Sequence, residues 1–225
     1  MPEKHLRRYT SITSVIDALS RKELALLDPH LWDDRNDVYF MELYKEHRKL
    51  GGLYGMCCTQ APETYHHWRV FTGGSHGACI KLKREPFLAS LAGDERIRAS
   101  EVRYVRLNDL DGLGPDDRER LPFLKRFGYG PEREFRVIAA FAEPQEKIRT
   151  VPLDVSHIAA VYLNPWISST VFESVAGLLR SIPGCGGVRF ARSSLIDNRC
   201  WRRAGDRIVG KAGSDAAGEP DQAEP

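Results

Sequence analysis

The chain has 225 residues, with 33 Lys and Arg against 31 Asp and Glu, a net charge of +2, and 42% hydrophobic residues, the proportions of one ordinary globular domain. The longest apolar stretches, such as Val137 to Ala142 and Leu24 to Leu27, fall far below the roughly 18 residues of a membrane-spanning helix, and the opening MPEKHLRRY lacks the apolar core of a signal peptide. No membrane partner and a cytoplasmic location are expected.

The pattern from His5 to Tyr9 predicts a short strand. Thr10-Ser11 then offers a hydroxyl N-cap, and Ile12, Val15, Ile16 and Leu19 repeat at the spacing of an amphipathic helix. Leu24 to Leu27 predicts a second strand. The turn Asp33-Asp34-Arg35-Asn36-Asp37 supplies acids to cap a helix from Val38 to about Lys49, which Gly51-Gly52 ends. Leu53 to Thr59 and Ala78 to Lys83 read as strands separated by a His-, Trp- and Gly-rich loop from Pro62 to Gly77.

Arg84 to Leu91 reads as a helix and Val102 to Leu107 as a strand. Asp116 to Phe127 reads as a helix interrupted or restarted at Pro122. Glu132 to Phe141 is the strongest strand signal. Ile158 to Leu163 and Val188 to Ala191 predict further strands, with an amphipathic helix over Ser168 to Ser181 between them. The implied fold class is α+β: one mixed domain, residues 1–210, with a central, mostly antiparallel sheet and peripheral helices. Residues 211–225, KAGSDAAGEPDQAEP, hold one Lys and four acids and almost nothing apolar larger than Ala, so a disordered acidic tail is expected. That tail carries −3 of the overall +2, which leaves the body at +5, enough to attract a phosphate-bearing ligand.

Five cysteines, two of them adjacent at Cys57-Cys58 and none in a CxxC pair, suit a reducing compartment. Cys57, Cys58, His66 and His67 lack the loop spacing that lets four ligands converge on zinc, and no metal is expected.

Three segments carry candidate chemistry. In Glu132-Arg133-Glu134-Phe135-Arg136, strand alternation places Glu132, Glu134 and Arg136 on one face. This is either an ion-paired strand end or a catalytic carboxylate pair. Arg7-Arg8-Tyr9-Thr10-Ser11 places guanidinium groups beside a helix N-terminus, an anion site or simply a capped helix with surface arginines. Trp68 and Phe71, at i and i+3, share one side of a helical turn, as core or as a platform for a flat ligand. No nucleophile elbow, Walker or dinucleotide-fold motif is present.

On these segments the sequence resembles the bacterial and phage family called domain of unknown function 2971. Arg8-Tyr9-Thr10-Ser11, Asn36-Asp37, Trp68 with Phe71, Gly77-Ala78-Cys79-Ile80 and Glu132-Arg133-Glu134-Phe135-Arg136 follow one another in that family's order, over roughly residues 5–202. More remotely the chain is similar to ADP-ribosyltransferases, which cleave the nicotinamide–ribose bond of NAD. That resemblance implies Arg8 and Thr10 in a first element, with Tyr9 between them, Trp68 or Phe71 in a second, and Glu134 with Glu132 as catalytic residues in a third. Arg8 and Arg136 would then serve a phosphate-bearing ligand, NAD would be a substrate, and the acceptor, protein or nucleic acid, is left open. Phage defence or a toxin system is the setting it suggests. Two other classes stay open: a non-catalytic nucleotide-binding or sensor module, and nucleic-acid binding by the basic body with its Arg-rich stretch Arg199 to Arg203.

Overall fold

In a computed structural model, residues 3–144, 146 and 148–211 are described; the predicted tail beyond Lys211 lies outside them. The elements run β1 (His5–Ser11), α1 (Ile12–Arg21), β2 (Glu23–Leu27), α2 (Arg35–His47), β3 (Gly52–Thr59), α3 (Tyr65–Phe71), β4 (Gly77–Lys83) and α4 (Arg84–Leu91). They continue as β5 (Ile97–Glu101), β6 (Arg103–Val105), β7 (Leu124–Arg126), β8 (Glu134–Phe141), β9 (Ile148–Pro152), β10 (Ile158–Leu163), α5 (Ser169–Ser181), β11 (Phe190–Arg192) and α6 (Arg199–Ile208). Nine strands form one mostly antiparallel sheet with helices around it, the predicted α+β class. No helix among the described residues is long and apolar enough to cross a membrane.

The two faces of the sheet are covered by different helices. Val15 and Leu19 of α1, Phe87 and Leu91 of α4 and Ala176 and Leu179 of α5 bury one face, against Leu6, Met56, Leu82, Phe135 and Val137. On the other face Met41 and Tyr44 of α2 pack on Leu53 and Ile138, and Trp68 of α3 packs on Cys79, Ala160 and Tyr162. The amphipathic period that predicts α1 is therefore the stripe that faces the core. Its Ser11 N-cap accepts from the Ser14 N–H at 3.1 Å.

Strand β3 is where the sheet forks. One of its edges pairs with β8 along its whole length, from Gly52 opposite Phe141 to Thr59 opposite Glu134. Its other edge is divided: Thr59 pairs with Arg7 of β1, and Gly55 pairs with Leu27 of β2. Between these two single contacts β1 and β2 diverge, and a cleft opens on the side of the sheet between α2 and α3.

Four departures from the sequence expectation have local causes. The segment from Asp116 onward forms a 3₁₀ run, Pro115–Phe123, that passes into β7, because Pro122 lacks the N–H and the room that an α-helix requires. β8 begins at Glu134 rather than Glu132, because Arg133 adopts a left-handed backbone with φ +43°. β5 and β9, IRASE and IRTVP, pair at sheet margins, are short and lack the hydrophobic alternation that announces a strand. α6 forms where the sequence shows only an Arg-rich stretch; none of its residues is buried, and Trp201 is 80% exposed.

Leu82 is fully buried in a strand flanked by β1 and β10 and packs in the main core. Leu82→Ala is expected to lower unfolding free energy by about 2–5 kcal/mol in chemical denaturation.

Candidate active site

The cleft at the fork encloses about 620 Å³. Arg8, Tyr9, Thr10, Phe71, Glu132 and Glu134, six of the eight residues singled out from sequence, line it. Arg7, from the same segment as Arg8, and Asp37, from the Asn36-Asp37 motif, line it too, as do Cys57, Thr59, Lys125 and Tyr129, to which the sequence pattern assigns no role there.

Arg8 reaches the cleft by an irregular route. Directly paired residues share a sheet face, so Arg7, Thr59 and Glu134, aligned across β1, β3 and β8, point one way and Arg8 points the other. At the fork, however, no strand occupies the space beside Arg8. Its guanidinium lies in the gap and donates to the Cys57 carbonyl of β3 at 3.4 Å and the Ala25 carbonyl of β2 at 3.3 Å. It thus links β1 to carbonyls of both β3 and β2 across the gap. Arg7, on the Glu134 side, is buried and donates to the Ala61 carbonyl at 2.9 Å.

The floor beneath β8 is a buried charge cluster. Arg136, 1% exposed, donates to Glu134 Oε1 at 2.7 Å, Asp37 Oδ2 at 2.9 Å and the Pro122 carbonyl at 2.8 Å. Lys125 Nζ lies 2.8 Å from Glu132 Oε2, 3.1 Å from Glu134 Oε2 and 3.5 Å from Asp37 Oδ2. The left-handed turn at Arg133 is held from β3, where the Thr59 hydroxyl donates to the Glu132 carbonyl and the Gln60 N–H donates to the Arg133 carbonyl at 2.9 Å. Asp37 enters from the first turn of α2, whose N-cap Asp34 accepts from the Asn36 N–H at 2.9 Å. Gly55 permits the close approach of Trp32 over this floor: a Cβ there would stand 2.6 Å from the indole.

The two glutamates have unlike environments. Burial acts to raise the Glu134 carboxyl, but the Arg136 guanidinium and the Lys125 ammonium outweigh it and hold it at about 2, ionised at any ordinary pH. Glu132 is pushed above the usual carboxylate range, chiefly by burial, with Glu134 and Asp37 adding to the effect and Lys125 opposing it. Asp37 is raised in the same way, burial outweighing Arg136 and Lys125. The Cys57 thiol is pushed well up by burial and by Glu134, which makes it a packed thiol rather than a thiolate nucleophile.

Two predicted positions do not face the cleft. Trp68, 1% exposed, belongs to the core of the α3 face, and its Nε1 donates to Glu63 Oε1 at 2.5 Å, so its ring is covered on the surfaces a ligand would need. Phe71, one helical turn on and 39% exposed, lines the cleft and continues a row of rings: it stacks on His67 at 5.9 Å, and His67 stacks on Tyr9 at 5.3 Å. Arg136, expected from sequence beside a phosphate-bearing ligand, lies beneath the cleft and does not line it, its guanidinium engaged by Glu134, Asp37 and the Pro122 carbonyl. Asp37 is visible in the sequence as half of the Asn36-Asp37 motif. Lys125 gives no local signal, since it lies in a short strand after a 3₁₀ run.

No family model matches the chain, and no curated protein matches it; the likeness to domain of unknown function 2971 stands on the five motifs alone. Among solved structures the chain is similar to Thermus sp. 2.9 DarT in complex with NAD+, at 12% identity and a TM-score of 0.44, over 85% of this chain and 96% of that one. It is also similar to Thermus sp. 2.9 DarT in complex with ADP-ribosylated ssDNA, at 11% identity and a TM-score of 0.44, over 85% and 95%.

Because Glu134 is held at about 2, below its unfolded value of 4.5, its contribution to stability is fully present above pH 4.5 and is lost as pH falls toward 2. Urea unfolding of wild type and Glu134→Gln across pH 7 to 2.5 is expected to show a gap that is widest above pH 4.5 and narrows with acidification. A gap independent of pH would contradict the assignment.

Proposed function

We propose that the cleft binds NAD+ as a substrate and breaks the bond between nicotinamide nitrogen and ribose C1′, passing the ADP-ribosyl group to an acceptor or to water. The observation that carries this reading is that Arg8, Thr10, Phe71 and Glu134, a carboxylate ionised near neutral pH, line one cleft. NAD+ has an anionic pyrophosphate and a cationic nicotinamide ring, and the cleft has a matching polarity. Glu132, Glu134 and Asp37 cluster at one end. Four residues along β1 from Arg7, roughly 13 Å at the rise of a strand, Ser11 and Ser14 mark the N-terminus of α1, beyond Arg8 and Thr10. The NAD phosphates belong at that end, with the nicotinamide ribose over Glu134 and a flat ring against Phe71.

The division of labour follows from the environments. As the C1′–N bond breaks, nicotinamide leaves with the bonding pair and positive charge grows on the ribosyl ring. A carboxylate that stays ionised stabilises that charge, and with a value near 2 Glu134 is suited to electrostatic support rather than to taking a proton. Glu132, held closer to neutrality, is suited to accept the proton of the attacking acceptor as the new bond to C1′ forms.

Incubation with NAD+ and protein, nucleic-acid or water acceptors is expected to release nicotinamide. Glu134→Gln should lower that rate about 10²–10³-fold, the cost of removing a preorganised electrostatic partner, while Gln still accepts from Arg136. Phe71→Ala should weaken NAD+ binding about 5–30-fold, the equivalent of 1–2 kcal/mol of ring stacking. Wild type that releases no nicotinamide with any acceptor rules the reading out. Saturable NAD+ binding without turnover would instead favour a non-catalytic nucleotide sensor, the reading to which the double ion pairing of Glu134 is equally suited.

A further inference from the structure

Of the two cations in the charge cluster, Arg136 is sealed below the cleft and touches Glu134 and Asp37 but not Glu132. Among the described residues Lys125 is the one cation within ion-pair distance of Glu132. Its ammonium lies between Glu132 and Glu134, near the Asp37 carboxylate, with the Tyr129 ring 4.6 Å beneath it. Lys125 lines the cleft itself, although its side chain is only 9% exposed. It comes from β7, a strand of the small second sheet, whereas Glu134 belongs to the main sheet and Glu132 to the turn before it. A single side chain therefore ties the two carboxyl groups of the E-x-E motif to each other from a separate element.

We propose that Lys125 is the positioning residue of the carboxylate pair, an ammonium bridge that fixes Glu132 beside Glu134 and keeps both groups facing the ribose end of the cleft. The assignment of a ribose end rests on the NAD+ reading above; the bridge itself does not. Two unbridged carboxylates this close would repel, and Glu132, on a 3₁₀ turn rather than in the ladder, is the one free to turn away. With the bridge in place Glu132 stays within reach of an acceptor, and its proton affinity is set by Lys125 against burial, Glu134 and Asp37. The other titratable groups facing the pair are Asp34 and Tyr129 from the cleft wall, Tyr104 from β6, whose hydroxyl accepts from the Glu134 N–H at 2.7 Å, and Cys57 from β3. Arg136 pairs with Glu134 and Asp37 and makes no ion pair with Glu132.

The test uses Lys125→Gln, which removes the charge but keeps a donor, and Lys125→Arg, which keeps both. In protein labelled with ¹³C at the Glu carboxyl, with Glu132→Gln to assign the signal, the Glu132 midpoint is expected to rise by at least one pH unit in Lys125→Gln and to stay within half a unit of wild type in Lys125→Arg. The acid limb of nicotinamide release should move up by the same amount in Lys125→Gln, with kcat reduced about 10- to 100-fold and KM for NAD+ changed less than threefold, a pattern that general destabilisation does not give. An unchanged Glu132 midpoint in Lys125→Gln overturns the proposal whatever the activity. If wild type releases no nicotinamide but the midpoint moves as stated, the functional reading fails and the bridge stands. Should Lys125→Gln not fold, the Lys125 ¹⁵Nζ resonance of wild type decides: it is expected to titrate with the Glu132 midpoint, and a flat response there overturns the bridge.

Discussion

The guanidinium of Arg136 is the constraint on which the site depends. A charge that deeply buried is tolerated only when paired and fully hydrogen-bonded, and Arg136 draws its partners from three parts of the chain: Glu134 on its own strand, Asp37 on α2 and the Pro122 carbonyl before β7. Meeting that requirement anchors α2 and the 3₁₀ run against the face of β8. It also holds Glu134 ionised at the lip of the cleft. The partners that make the buried arginine acceptable are carboxylates that line or underlie the cleft.

The fork in the sheet is the second constraint. β3 meets β1 and β2 at one residue each on its divided edge, so the ladder cannot close between Thr59 and Gly55, and the Cys57 carbonyl faces a gap. Arg8 of β1 occupies the gap and donates to carbonyls of β3 and β2. In a continuous sheet its side chain would lie on the face opposite Glu134; the fork is what allows the two to line the same cleft. A ligand there would rest against backbone that a side chain, rather than a neighbouring strand, holds in place.

Much of the fold is legible in the sequence because its signals are local. The stripe Ile12, Val15, Leu19 with its Ser11 cap announces α1, the apolar run after Glu134 announces β8, and alternation places Glu134 and Arg136 on one face. The parts that are not legible depend on distant partners. β5 and β9 are short strands without hydrophobic alternation, held by ladders to β8 and β2, and their own pattern does not announce them. Trp68 and Phe71 share one side of a helical turn, but only the packing of α3 against β4 and β10 shows that Trp68 is sealed in and that Phe71 is the ring left open. Lys125 carries no motif; a lysine on a three-residue strand acquires meaning only from the acids that converge on it.

The proposed function sets NAD+ in the cleft at the fork, its nicotinamide ribose against Glu134 and its phosphates toward Arg8 and the start of α1. A crystal structure of Glu134→Gln soaked with NAD+ tests it most directly. Intact dinucleotide is expected in the cleft, with ribose C1′ within about 4 Å of the residue-134 side chain, the pyrophosphate beside Arg8 and Thr10, and a ring on Phe71. Dinucleotide bound elsewhere, bound in the reverse direction, or absent at saturating concentration would contradict it.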